Sequence, residues 1–408
     1  MKITAATLIA LRIPFVEAFT HSIRARRYSD SIVVRIEAED GTVGYGEAVA
    51  RPYVTGETVA SCLAFMANTL WPAVQQQDYS LPPLSDTNDA DESMSMNWVQ
   101  EIAATLPTQS SSIQNEHDCP DADETASPTV VAWNAARAGW ELALIDCLLK
   151  ASEQSLSSIL PPRRSPITYS GVITASGIEQ AVKVAKRFKQ FGIPHLKVKV
   201  TGTDDRPLIA AIREAVGPDP SLRIDGNGAY TVESAIATCE KLAEFNIDSA
   251  EQLIPRGAPA DLAVVQAASP IPQMVDESLI TLEDADALIE ARACQWFNLR
   301  ISKCGGLAQT LAIAQRAEQA GLQLQVGCQV GETAILSAAG RHLAAWLPAV
   351  EFVEGSYGKL LLAQDVSRSP IHFGHHGHAP LLTQPGLGVS VNDDILNTYA
   401  HQVISLSN

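Results

Sequence analysis

Hydrophobic and polar positions change rhythm near residue 166. Beyond it, short apolar, β-branched runs alternate with stretches whose apolar residues recur at helical spacing. Strand-like runs fall at 167–174, around Lys199, Asp225, Glu251, Asp276 and Lys303, and at 322–328 and 350–354. Helical patterns lie between them at 177–191, 203–216, 231–245, 258–268, 281–293 and 307–320. Crossovers of that length make successive strands parallel. Eight such strands predict a parallel α/β barrel.

The first 50 residues carry a different pattern. Positions 3–14 alternate, 31–38 are strongly β-branched, and Glu39-Asp-Gly41 is a turn into 42–47, so antiparallel β is predicted. The polar, basic stretch 15–27 reads as a loop between strands. Helices are predicted at 58–70 and 130–150, the latter with Trp133, Ala136, Trp140, Leu144 and Cys147 at helical spacing. Residues 76–129 have little periodicity outside 98–106 and read as a long acidic surface insertion. After Tyr357 the regularity stops. The chain thus divides into an amino-terminal α+β region (1–160), a barrel (161–358) and a segment (359–408) expected to return to the amino-terminal region.

A chain of 408 residues with 46% hydrophobic content has ample material for a core. Its net charge of −17 argues against nucleic acid or an anionic membrane as partner. Residues 52–136 contain twelve acids and no Lys or Arg, so most of that charge is local to the insertion region. Seven scattered cysteines without a C-x-x-C pair fit reduced thiols. With no signal-peptide pattern and no apolar run long enough to span a bilayer, a cytoplasmic protein is expected.

The polar residues that close the barrel runs carry the chemistry. Lys199, Asp225, Glu251, Asp276 and Lys303 are separated by 26, 26, 25 and 27 residues, one βα unit each. They therefore share a phase at the carboxyl-terminal rim, where side chains from different strands converge. Three acids there offer oxygen ligands to a hard cation, Mg²⁺ or alternatively Mn²⁺, and no His or Cys at that phase argues for zinc. Lys197 and Lys199, two apart, share a strand face. Burial and neighbouring positive charge are expected to lower their pKa toward that of a base. Lys303, four units around, stands roughly opposite. Two amines flanking a metal-held carboxylate suit abstraction of the adjacent carbon proton, since the resulting enediolate needs that charge. Gly226-Asn-Gly228 lacks the third glycine of a dinucleotide fingerprint. His372-Phe-Gly-His-His-Gly-His378 is a weaker candidate metal site beyond the barrel.

Lys197-Val-Lys199, Asp225-Gly-Asn227, Glu251, Asp276-Glu277 and Lys303-Cys-Gly-Gly306 resemble the enolase superfamily, muconate-lactonizing subgroup. Gly44-Tyr-Gly-Glu47, Trp140-Glu-Leu-Ala-Leu-Ile-Asp146 and Pro385-Gly-Leu-Gly388 extend the resemblance through nearly the whole chain. It implies a modified (β/α)₇β TIM-type barrel with an α+β capping domain formed from both chain ends. It implies metal on Asp225, Glu251 and Asp276, an acid/base pair in Lys199 and Lys303, and Lys197 near the substrate carboxylate. Asn227 and Glu277 would support the site. The cap segments 15–27 and 48–57, the latter with Arg51 and Tyr53, and the rim residues Glu332 and Glu354 would set specificity. Gly327-Cys-Gln-Val-Gly-Glu332 is shifted by one from the subgroup's usual spacing. The eighth strand end, Glu354-Gly-Ser-Tyr357, lacks the Asp-x-Asp of dipeptide epimerases, which favours a muconate-cycloisomerase-like reaction. The alternatives are a racemase or epimerase of N-acylamino acids or dipeptides, an o-succinylbenzoate-synthase-like dehydratase, and a non-catalytic binding protein. A small-molecule carboxylate substrate and a homo-oligomer are expected.

Overall fold

The computed structural model describes residues 1–21, 24–82, 92–109, 130–174, 177–203 and 205–407. The chain opens with three antiparallel strands, β1 (Ile3–His21), β2 (Arg24–Ala38) and β3 (Val43–Ala48). The stretch 15–27 is largely not the expected loop. The β1–β2 ladder continues through it by way of Phe19 opposite Arg26, as a long hairpin arm. Local polarity hid this pairing, because the partners of a hairpin ladder leave no trace in the hydropathy of either strand alone.

A helical run follows, Val59–Phe65, a π-helical turn at Met66–Leu70, and Trp71–Val74. Within the expected insertion, helix α1 (Glu92–Ala104) packs inward through Trp98, Val99 and Ile102. The rest of that expectation, at 83–91 and 110–129, lies outside the described residues. Helix α2 (Asn134–Ala151) starts four residues later than its predicted start and is buried on nearly every side. It lies hard against β3. A Cβ on Gly46 would sit 1.9 Å from the Gly139 carbonyl oxygen, so the Gly44-Tyr-Gly46 motif is a close-approach device.

The barrel proceeds as strand and helix in turn. It comprises β4 (Gly171–Ile173), α3 (Ile178–Gln190), β5 (His195–Lys199), α4 (Asp205–Val216), β6 (Ser221–Asp225), α5 (Val232–Leu242), β7 (Ser249–Glu251) and α6 (Pro259–Ala268). It continues through β8 (Gln273–Val275), α7 (Leu282–Glu290), β9 (Trp296–Leu299), α8 (Leu307–Gln319), β10 (Gln323–Val326), α9 (Ala334–Trp346) and β11 (Val350–Val353). These eight strands form one parallel sheet in sequence order. Its two edges meet where the Ser170 N–H donates to the Val353 carbonyl at 2.8 Å. Helices α5 and α7 begin at capping boxes on Thr231 and Thr281, which fix where those two helices start. The first predicted barrel strand is split. Ile167–Thr168 instead pairs antiparallel with His378–Ala379, and only β4 joins the barrel.

After β11 no full-length helix follows; a single turn, Gly358–Leu361, stands in its place. The chain then crosses to the amino-terminal sheet, and β12 (Ala400–Ser407) pairs antiparallel with β1 as an edge strand. The architecture is a modified (β/α)₇β TIM-type barrel capped by a sheet to which both chain ends contribute. Among the described residues no helix is long and apolar enough to cross a membrane.

Candidate active site

In-register pairing sets Lys199 beside Asp225 and Asp225 beside Glu251 across β5, β6 and β7. Asp276 follows β8, Lys303 lies beyond β9, and Glu354 follows β11. All three acids of the expected metal set are buried, as are Lys197 and Lys303. Lys197 Nζ stands 3.1 Å from Asp225 Oδ2, 3.2 Å from Glu251 Oε2 and 2.7 Å from Glu354 Oε2. Lys199 Nζ, the more exposed amine, is 2.5 Å from Asp225 Oδ2. Lys303 Nζ is 2.9 Å from Asp276 Oδ1. The two lysines expected to exchange protons thus bind different ends of the acid cluster.

The loop bearing Lys303 is held by the cap. Asn134 Nδ2 donates to the Lys303 carbonyl at 2.7 Å, the Val49 N–H to Ser302 Oγ at 3.0 Å, and the Ala308 N–H to Glu141 Oε1 at 2.9 Å. Trp140-Glu141 and Lys303-Cys-Gly-Gly306 are therefore one structural unit. On the opposite side, Asn227 Oδ1 accepts from Lys199 at 2.7 Å, and its Nδ2 donates to Glu277 Oε1 at 3.1 Å.

Electrostatics correct one expectation. Burial alone would lower the Lys197 pKa, but Glu251, Glu354 and Asp225 together hold it well above the ordinary lysine value. Lys197 is a fixed ammonium. Against burial, Lys199 and Lys197 keep Asp225 ionised, and Arg300 and Lys303 do the same for Asp276. Burial and the Asp276 charge raise Glu277 to about 7. Glu251, buried next to Asp225, is also raised.

Sequence reasoning missed Arg300 and Arg223. The Arg300 guanidinium meets Asp276 Oδ2 and reaches Glu251 Oε1 at 3.6 Å. Arg223, two residues before Asp225, lies beneath the site. It is 3.2 Å from Glu354 Oε1, donates to Ser170 Oγ at 2.9 Å and stacks on Phe352. The period-two argument used for Lys197 and Lys199 would have found Arg223.

Among the described residues no three His, Cys, Asp or Glu enclose a metal as they stand, because Lys197 and Arg300 bridge the carboxylates. The donor set still fits a hard divalent cation. It is all oxygen, and it comes from three adjacent strand ends.

A cavity of about 690 Å³ opens over this cluster, lined by Lys197, Lys199, Asn227, Glu277, Glu332, Glu354 and Tyr53 among others. Arg51 is absent from the lining. It is buried and donates to the carbonyls of Asp30, Ala50 and Val330, so it ties the cap to the 327–332 loop. Glu332 accepts from the Gln329 N–H and Ser337 Oγ, and burial together with nearby Glu47 raises it to about 8. The 372–378 histidines form no metal cluster. His375 stacks on Phe191 and the His376 N–H donates to the Phe191 carbonyl at 2.9 Å, tying this segment to the end of α3.

Residues 179–395 match the family described as "Enolase C-terminal domain-like", and the chain belongs to it. Among its relatives, an N-succinyl-L-Arg/Lys racemase of Bacillus cereus is 29% identical over 97% of each chain. That protein's crystal structure superposes with a TM-score of 0.84 over the full length of both chains. A hydrophobic dipeptide epimerase of Enterococcus faecalis is 30% identical over 85% of this chain and 87% of its own. The structure of a dipeptide epimerase from Cytophaga hutchinsonii, in complex with Mg and the dipeptide D-Ala-L-Val, gives a TM-score of 0.80 at 25% identity over both full chains. A 2-chloromuconate cycloisomerase from Rhodococcus opacus shares the fold, with a TM-score of 0.82 at 23% identity over 98% of this chain and 100% of its own. The relatives thus favour the racemase and epimerase alternative over the cycloisomerase suggested by the eighth strand end. At the eighth strand end the Glu354 carboxylate serves Lys197 and Arg223 inside the barrel.

Proposed function

We propose that the chain is a racemase or epimerase of N-acylated amino acids that removes and returns the proton α to a carboxylate. The observation that carries this reading is the pairing of Lys199 with Asp225 and of Lys303 with Asp276, at opposite ends of one buried acid cluster. A 1,1-proton transfer needs an amine on each face of the α-carbon; a ring-closing reaction needs one. One lysine, as the free amine, takes the proton and leaves the C–H electron pair on the substrate as an enediolate. The other, as an ammonium, gives its proton to the opposite face. No redox partner is required. Asp225, Glu251 and Asp276 would hold Mg²⁺ or Mn²⁺, which would supply charge stabilisation to the enediolate oxygens. Lys197, held protonated by its three carboxylates, adds fixed positive charge beside the same oxygens. Asn227, braced by Glu277, orients the Lys199 amine.

A cycloisomerase is the second reading, favoured by the missing Asp-x-Asp at the eighth strand end. The test is incubation with Mg²⁺ in D₂O and a panel of N-acetyl and N-succinyl amino acids and dipeptides, followed by NMR and polarimetry. Exchange of the α-proton with inversion is expected. Lys199→Ala and Lys303→Ala should each lower turnover by about 10³-fold or more. Full activity in either variant sinks the two-base assignment, and a rearranged carbon skeleton without exchange returns the cycloisomerase.

A further inference from the structure

The loop between β10 and α9 forms a continuous part of the cavity wall from 328 to 332. Its backbone is held at three successive places. Arg51 donates to the Val330 carbonyl at 2.8 Å, Ser29 Oγ donates to the Gly331 carbonyl at 2.5 Å, and the Gln329 N–H donates to Glu332 Oε2 at 3.0 Å. Gly331 makes the turn with a φ of +86°, and a Cβ there would run into Ser29 Oγ. A loop fixed in this way presents its side chains in one arrangement.

Of the polar side chains that line the cavity and are more than nine-tenths buried, Lys197, Gln252, Glu332 and Glu354 are committed within the protein. Lys197 and Glu354 pair at 2.7 Å, Gln252 donates to the Ile254 carbonyl and to Ser278 Oγ, and Glu332 accepts from Gln329 and Ser337. Gln329 is the exception. It is 3% exposed, yet among the described residues its hydrogen bonds are made by its backbone alone, the N–H to Glu332 and the carbonyl from the Glu332 N–H. Its carboxamide offers two donors and an acceptor that nothing in the protein takes up among those residues. A buried amide without a partner is costly and uncommon.

The strand order says what reaches it. The three acids stand at the ends of β6, β7 and β8, and β10 lies between β9 and β11, nearly across the ring of eight from β6. A substrate carboxylate engaged at the acids directs the substituents of its α-carbon away from them, toward β10. A carboxamide carries no net charge, and a secondary amide matches it in both senses, N–H onto Oε1 and C=O from Nε2. We infer that Gln329 is a specificity-determining residue whose carboxamide pairs with the amide on the α-carbon of the substrate. The cavity thereby selects α-amido acids over α-acyloxy acids of the same shape, whatever the acyl tail. The inference rests on the racemase reading for the placement of the α-carbon. The rival partner is a water trapped in the small cavity of about 10 Å³ that Gln329 shares with Ser337 and Glu354, which would satisfy the amide without selecting a substrate.

The probes are N-acetylleucine and 2-acetoxy-4-methylpentanoate, in which an ester oxygen replaces the N–H. Calorimetry with Mg²⁺ present gives the ratio of their dissociation constants, and NMR in D₂O follows α-proton exchange separately. The parent should bind the amide about tenfold or more tightly, since the ester leaves Oε1 unpaired. Gln329→Met, of similar length, and Gln329→Ser, too short to reach, should bring the ratio close to one. Gln329→Glu, which keeps an acceptor for the N–H, should retain it. A ratio near one in the parent, binding of neither probe, a ratio unchanged in Gln329→Met or Gln329→Ser as the trapped water predicts, or a ratio equally lost in Gln329→Glu overturns the inference. Selectivity lost in Gln329→Met and kept in Gln329→Glu, with no α-proton exchange in any of the proteins, would sustain the amide contact and refute the racemase.

Discussion

Glu332 is the residue whose behaviour the chain's chemistry makes easiest to read. It is a carboxylic acid raised from its ordinary value to about 8 by burial and by the nearby Glu47. The folded protein therefore holds a proton there that the unfolded chain releases. The stabilisation is full below about pH 4.5 and is lost as pH rises through about 8. Glu332→Gln keeps an acceptor for the Gln329 N–H and Ser337 but cannot ionise. Its melting temperature relative to the parent should rise between pH 5 and about pH 8 and level off above that; a difference flat across that range would show that Glu332 does not titrate there. Lys197 makes the opposite point. The run His195-Leu-Lys-Val-Lys199 shows that Lys197 faces inward, yet whether it acts as a base or as a fixed cation depended on Glu251 and Glu354, far away in sequence.

Among elements, the junction between β3 and α9 governs how the cap sits on the barrel. Glu47, at the end of β3, accepts from the Thr333 N–H at 2.9 Å, Thr333 Oγ at 2.8 Å and the Leu336 N–H at 3.2 Å. A sheet residue thus caps the first turn of a barrel helix and satisfies donors that a helix start leaves open. Glu47→Ala should cost about 2–4 kcal/mol in a denaturant titration, from two buried N–H groups left without partners. Glu47→Gln should recover most of it, and an alanine variant of unchanged midpoint would show that the cap docks by other contacts. The Gly44-Tyr-Gly-Glu47 motif was visible as a landmark. Its purpose was not, since Gly46 answers to the backbone of Gly139 and Glu47 to Thr333. The 15–27 arm was misread for a related reason: partnership across a hairpin leaves no trace in local hydropathy.

For the whole molecule, the acid cluster is held together in this structure by the chain's own cations, Lys197, Lys199, Arg300 and Lys303. A divalent ion that binds the folded state alone must stabilise it by mass action, by about 2.7 kcal/mol at a hundredfold excess over its dissociation constant. Titration with Mg²⁺ should raise the melting temperature to a plateau, and Asp225→Asn should flatten that response. A melting temperature indifferent to Mg²⁺ and Mn²⁺ would remove the metal from the scheme.

The sequence alone determined the alternation of strand and helix, the common phase of Lys199, Asp225, Glu251, Asp276 and Lys303, and the oxygen-only character of the acid set. These follow from side-chain periodicity and turn chemistry, which act within a few residues. Tertiary structure decided which charge meets which, that Lys197 stays protonated, that Arg300 reaches Asp276 and Glu251, and that Lys197, Lys199, Glu277 and Glu332 line one cavity. Charge interactions in a buried site depend on separation and on the exclusion of water, and both are set by segments far apart in the chain, as with Lys197 and Glu354, 157 residues apart.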